Sequence, residues 1–171
     1  MKPLCQDTFG EVKRIRILHG PNVPYIGQGR EPQWYGHTPW RTYYEALQAK
    51  YASIVALTYL ESPHEGQLIE WIWEVEQYDG LILNPGALAH TSLALYDALR
   101  GCGRPCIEVH YSQVYKREGF RQRLITARAC LGVISGLGWM GYELALLALL
   151  AHAGTDNTSE GVRLLPISPI L

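Results

Sequence analysis

Two rhythms of hydrophobic and polar positions alternate along this chain. From residue 15 onward, short β-branched or apolar runs are separated by longer segments whose apolar residues recur at helical spacing; the runs are "IRIL" from Ile15, "IVALTY" from Ile54, "GLIL" from Gly80, "CIEV" from Cys106 and "CLGVIS" from Cys130. That alternation predicts a parallel α/β sheet. The first helix is expected from about Thr38 to Tyr51, with Thr38 as N-cap and Pro39 at the first helical position. In "HEGQLIEWIWEV", Leu68, Ile72 and Val75 fall at i, i+4 and i+7, so one helix face meets the sheet. Ser92 is placed to cap a third helix running through Asp97 to Arg100, and a last helix runs from about Met140 to His152. Residues 1–13 and 155–171 stand outside the alternation as N- and C-terminal extensions of one domain over 14–154, the apolar tail "VRLLPISPIL" being suited to docking.

Composition narrows the class. A chain of 171 residues fits one domain and buries a sizeable core. With 47% apolar residues, 18% charged residues and a net charge of -1, it carries no electrostatic footprint for nucleic acid. Cys5, Cys102, Cys106 and Cys130 are too few and too irregularly spaced for a disulfide framework, and read as reduced thiols of a cytoplasmic protein. The first residues lack an apolar signal core and "LALLALLA" is too short to span a bilayer, so neither export nor membrane insertion is expected.

Open parallel sheets bind ligands outside the carboxyl ends of their strands, which directs attention to the segments just after each strand. Strand one is followed by "HGPNVPYIGQGREPQWYG", which is too irregular for a helix or a strand; with Gly27, Gly29 and Gly36 it is suited to close over the sheet edge as a lid carrying Arg30 and Tyr35. After strand three, "NPGALAHTS" turns through Pro85 and Gly86, leaving the Asn84 amide at the sheet edge and His90 just before a helix N-terminus. In "IEVH" the two-residue period puts Glu108 and His110 on one face, a proton-handling pair or simply a histidine at a strand end. Beyond it, Ser112, Arg117 and Arg121 offer a hydroxyl and two guanidiniums for anion or hydroxyl binding, or form a solvated basic turn.

Two tempting motifs carry less. Gly136 to Gly141 spells GxGxxG, but no strand bearing an acid follows to hold a ribose, so close packing of the final helix on the sheet is the better reading. The six histidines are scattered without ligand spacing, and neither a metal nor an organic cofactor is expected.

Taken together, the stretches "GPN" (20–22), "REPQWYG" (30–36), "HEGQLIEWI" (64–72), "NPGALAHTSLALYDAL" (84–99), "IEVHYS" (107–112), "REGFR" (117–121) and "GVISGLGWMGYELAL" (132–146) resemble one family. They occur in the order found in type II 3-dehydroquinate dehydratases, the non-Schiff-base dehydroquinases. The resemblance implies a flavodoxin-like three-layer fold with a five-stranded parallel sheet, and dehydration of 3-dehydroquinate to 3-dehydroshikimate through an enolate, without metal or cofactor. By the match, Tyr35 is the general base, acting as tyrosinate with Arg30 and Arg117 as the source of its stabilisation. Asn22 resembles the residue that stabilises the enolate through a bound water. His110 matches the acid that protonates the departing hydroxyl, with Glu108 orienting it. Asn84, His90, Ser112 and Arg121 match residues holding the carboxylate and hydroxyls of a cyclic hydroxy-ketone carboxylate substrate. Asp97 matches an acid that reaches the site of a neighbouring subunit, in trimers assembled into dodecamers.

Departures surround this set. His19 and Val23-Pro24 replace residues of the family's usual Asn-Gly-Pro-Asn-Leu-Asn, and the lid is one residue longer before Arg30. Gln113, Tyr96 and Gly119 replace an asparagine, an arginine and a glutamate, and "QRLITAR" replaces the usual stretch after Arg121. A retained catalytic set in changed surroundings fits a dehydratase with an adjusted site; it also fits a paralogue performing a lyase or cyclisation step on a different hydroxylated ring.

Overall fold

A computed structural model describes residues 12–29 and 35–155, with side chains described to residue 152. Its core is a five-stranded sheet of β1 (Lys13–His19), β2 (Val55–Glu61), β3 (Gly80–Asn84), β4 (Cys106–His110) and β5 (Gly132–Ser135), in the order β2-β1-β3-β4-β5. Every neighbouring pair is parallel. This is the flavodoxin-like order, and its crossover opens a crevice above the carboxyl ends of β1 and β3. The helices are α1 (Trp40–Tyr51), α2 (Glu65–Trp73), α3 (Leu93–Gly101) and α4 (Met140–Thr155).

Strand alternation sorts side chains between two helical layers. Ile15, Ile17 and Ile82 meet Leu47 of α1 and Tyr142, Leu146 and Leu149 of α4 in one buried cluster. On the opposite face Leu18, Leu81 and Leu83 meet Leu68 and Ile72 of α2 and Leu95 and Leu99 of α3. Every residue of β3 and β4 is buried, as expected of strands covered on both sides. Arg16 breaks the apolar run of β1 yet is only 3% exposed. Its guanidinium donates to the Trp71 carbonyl at 2.7 Å and to Glu74 and Gln77 at 2.8 Å each, so a charge inside the sheet satisfies backbone and side-chain acceptors at the end of α2.

Local signals held in places and moved in others. The Ser92 hydroxyl accepts the Leu95 N–H at 2.8 Å, as its capping position predicts. Helix α1, however, starts at Trp40, with Pro39 as its cap residue in extended backbone (φ −65°, ψ 149°) and no side-chain cap hydrogen bond. Helix α2 stops at Trp73, which puts Val75 in a short 3-10 turn, still packed against the core. Strand β5 begins at Gly132, two residues later than expected, since Thr126–Ala129 forms a 3-10 turn ahead of it. A Cβ on Gly141 would come within 3.1 Å of Val109 and 3.3 Å of Ile134, which supports the packing reading of GxGxxG. Cys102, Cys106 and Cys130 are free thiols, while Cys5, Arg30 and most of both extensions lie outside the described residues. No helix among the described residues is long and apolar enough to cross a membrane.

Candidate active site

The loops after β1 and β3 lie in backbone contact over the crevice. Gly20 N–H donates to the Asn84 carbonyl at 2.8 Å, and Gly86 turns with φ +60° beneath the Pro21 carbonyl, which a Cβ would approach to 2.5 Å. Only glycine takes that turn without strain. The pocket they frame is lined by Val23, Ile26, Tyr35, Asn84, Ala87, His90, His110, Tyr111, Ser112, Val114, Arg117 and Arg121, among others. Seven of the eleven residues singled out from the sequence therefore converge on one hollow: Tyr35, Asn84, His90, His110, Ser112, Arg117 and Arg121.

His110 and Glu108 do share a face. His110 Nε2 lies 2.7 Å from Glu108 Oε1, and the other carboxylate oxygen accepts the Thr126 hydroxyl at 2.5 Å. Glu108 is wholly buried behind the ring rather than lining the pocket, and His110 is 7% exposed, so the solvated strand-end reading does not hold. A buried carboxylate needs donors on both oxygens, and this one has them.

Across the pocket, Arg117 Nη1 donates to the Tyr35 hydroxyl oxygen at 3.0 Å and lies 3.4 Å from the Ser112 hydroxyl. Arg121 pairs with Glu118 at 2.9 Å, and Glu118 also lies 3.4 Å from Arg117. The Glu118 carboxyl is held below its usual range by a backbone hydrogen bond and by these two guanidiniums. Arg117 and Arg121 thus belong to a charged network at the pocket wall, not to a freely solvated turn.

His90 Nδ1 lies 2.9 Å from the Arg123 carbonyl, and its ring stacks 6.3 Å from that of His110. Burial, ahead of the neighbouring cations, lowers its affinity for a proton. A carbonyl only accepts, so Nδ1 carries the hydrogen and Nε2 is left as an acceptor, suited to a ligand hydroxyl. Asn84 is fixed at both ends of its amide: Nδ2 donates to the Tyr142 hydroxyl at 2.8 Å, and Oδ1 accepts the Gly86 N–H at 3.2 Å.

Three expected members stand elsewhere. Asn22, with φ +67°, lines an adjoining hollow with Gly20, Pro24, Tyr25, Glu61 and Ser62 rather than this pocket. Asp97 is exposed on α3 and takes no part in the lining within its own chain. Arg30 lies outside the described residues. Sequence reasoning missed Tyr111, Val114, Thr126 and Tyr142. Thr126 sits in the stretch that departs from the family pattern, and nothing in its own surroundings marks it; Tyr142 lies within a matched stretch, on the α4 face that period 3.6 turns toward the sheet. No group of three or more metal-ligating side chains is arranged for a metal ion among the described residues.

The space within it is about 40 Å³, room for a water or two. What fold and site define together is an α/β enzyme of flavodoxin-like architecture, with acid–base groups and guanidiniums gathered at the topological switch point. The Dehydroquinase class II family matches residues 13–150, and the chain belongs to that family. It is 42% identical over 139 residues to a 3-dehydroquinate dehydratase of Exiguobacterium sp., covering 81% of this chain and 95% of that protein. It is 43% identical over 155 residues to one of Roseiflexus castenholzii, covering 88% and 94%. Among solved structures, the type II dehydroquinase of Butyrivibrio crossotus superposes with a TM-score of 0.79 at 34% identity, over 82% of this chain and 99% of that one. The type II dehydroquinase of Propionibacterium acnes gives 0.75 at 35% identity, over 80% and 95%.

Proposed function

We propose that this protein is a hydro-lyase that dehydrates 3-dehydroquinate to 3-dehydroshikimate through an enolate, without an imine. The observation that carries the proposal is the confrontation, across one pocket, of Tyr35 held by Arg117 with His110 held by Glu108. Arg117, donating to the phenol oxygen, fixes Tyr35 in the pocket, where it takes the proton beside the ketone as tyrosinate. His110, hydrogen-bonded to a buried carboxylate, then delivers a proton to the departing hydroxyl on the next carbon. Asn84, His90, Ser112 and Arg121 together hold the substrate's carboxylate and hydroxyls, His90 through its bare Nε2.

Asn22 and Arg30 complete the site when the loop after β1 closes, Asn22 acting on the enolate through water. Asp97 serves the pocket of a neighbouring chain in a homotrimer, the unit from which a dodecamer is built. Its exposure on α3, outside its own pocket, supports this sharing. On the other face of the sheet, the outward side of α4 leaves Met140, Leu144 and Leu147 exposed, a separate apolar surface suited to contact between copies. The reaction belongs in the cytoplasm.

The test is incubation of the purified protein with 3-dehydroquinate while following the absorbance of the conjugated enone. Turnover that survives exhaustive chelation, and borohydride treatment with substrate present, is the expected result. No enone from 3-dehydroquinate would favour the second reading, a lyase or cyclisation step on another hydroxylated ring. The replaced stretch around Thr126, which reaches the Glu108–His110 pair, supports that alternative.

A further inference from the structure

A larger cleft opens beside β2 and α1, away from the catalytic pocket. It encloses about 560 Å³ and is lined by Pro24, Gln28, Trp40, Arg41, Tyr44, Glu45, Gln48, Tyr59 and Glu61. That volume lies within the range of small-molecule sites, roughly 300–1,000 Å³. None of these residues lines the catalytic pocket.

Its chemistry is one-sided. Trp40, Tyr44 and Tyr59 form a mutual triad with ring centroids 5.3, 5.5 and 5.7 Å apart, presenting a continuous aromatic wall. Arg41 is paired with Glu45 at 3.1 Å, so those two charges offset one another. Glu61 is different. It is exposed and accepts the Tyr59 hydroxyl, but among the described residues it forms no ion pair. The adjoining hollow of about 270 Å³ shares Pro24, Gln28 and Glu61 with the cleft, which sets this carboxylate between two cavities.

Aromatic faces and a carboxylate that has no ion-pair partner among the described residues both attract positive charge, and neither attracts an anion. We infer that this cleft is a binding site for a small organic ammonium, its cationic head on Glu61 and its apolar part against Trp40, Tyr44 and Tyr59. The site is separate from the one that turns over the hydroxy-ketone acid, and its occupancy is measured without any turnover.

The experiment is calorimetric titration of the full chain with benzylammonium, with benzyl alcohol as the neutral counterpart of the same shape. Glu61→Gln keeps an acceptor for Tyr59 and removes the charge, and Tyr44→Leu removes a ring face; circular dichroism verifies that both variants fold. Saturable benzylammonium binding, with each substitution weakening it about fivefold and benzyl alcohol binding at least that much more weakly, supports the site. Equal binding of amine and alcohol, affinities unchanged by both substitutions, or no saturation by 10 mM (on the order of the weakest specific affinities) overturns it.

Discussion

His19 and His110 stand at the carboxyl ends of core strands, and their surroundings are opposite. His19 is completely buried among Trp40, Tyr59, Trp139 and Tyr142, with ring centroids 4.6 to 6.5 Å away. Burial drives its proton affinity down to a pKa of about 3. The Tyr59 hydroxyl donates its one proton to Glu61, so His19 Nδ1, 3.1 Å from that oxygen, is the donor to it, and Nε2 is a bare, unpartnered nitrogen. His110 has instead a carboxylate at 2.7 Å and a place in the pocket wall. Burial without a counter-charge makes the His19 imidazole a neutral packing ring; a carboxylate at hydrogen-bond distance and a place in the pocket wall fit His110 to the acid role proposed for it.

The sharpest way to break this contrast is to replace each ring by a side chain that keeps its packing. His110→Gln retains an N–H for Glu108 but cannot transfer a proton at neutral pH. The expected result is a fall in kcat of about 10² to 10⁴, with the melting temperature held within a few degrees. His19→Phe should leave kcat within severalfold. Steady-state kinetics on 3-dehydroquinate and thermal melts of both variants check the pair, and near-normal kcat in His110→Gln would remove His110 from the acid role.

The next effect belongs to His19 and appears in acid. An unfolded histidine takes up a proton below about pH 6.5, whereas folded His19 stays neutral down to about pH 3. Between those values the unfolded state binds more protons, so stability drops as pH falls, by about 1.4 kcal/mol per unit and about 5 kcal/mol across the window. His19→Phe lacks this component, so its unfolding free energy should decline less steeply between pH 6 and 4. Denaturant melts at half-unit steps measure it, and parallel declines in both proteins would mean that His19 is not held neutral.

The same contrast shows what could be read in advance. Strands β3 and β4 are unbroken buried runs, and the two-residue period that builds them also places Glu108 and His110 together, so local rules sufficed for both fold and dyad. Tyr35 and Arg117 are 82 residues apart and meet through irregular segments, which no periodicity encodes; the roles proposed for them rest on family resemblance. Arg16 and His19 were opaque because each looks solvent-seeking, and only long-range partners, the end of α2 for one and an aromatic shell for the other, make burial tolerable. Asn22 and Asp97 lie outside the pocket of their own chain, where a sequence match specifies a residue but not the loop closure or neighbouring subunit that would complete it.

The smallest effect sharpens the comparison at the residue behind the Glu108–His110 pair. Thr126 is fully buried, and its hydroxyl is the donor to the Glu108 oxygen that His110 does not use. Thr126→Val keeps the shape and leaves that oxygen without its donor, which costs about 1–3 kcal/mol of stability for a buried polar group. A carboxylate relieved of one anchor also holds the His110 ring less firmly, so kcat should fall about tenfold, about 1.4 kcal/mol in the barrier, with KM little changed. Thr126→Ser restores the donor and should restore both quantities, which separates the hydrogen bond from mere packing. If the valine variant matched the parent in melting and kcat alike, Glu108 would be held by His110 alone, and the hydroxyl contributed by the divergent stretch would have no part in setting the acid.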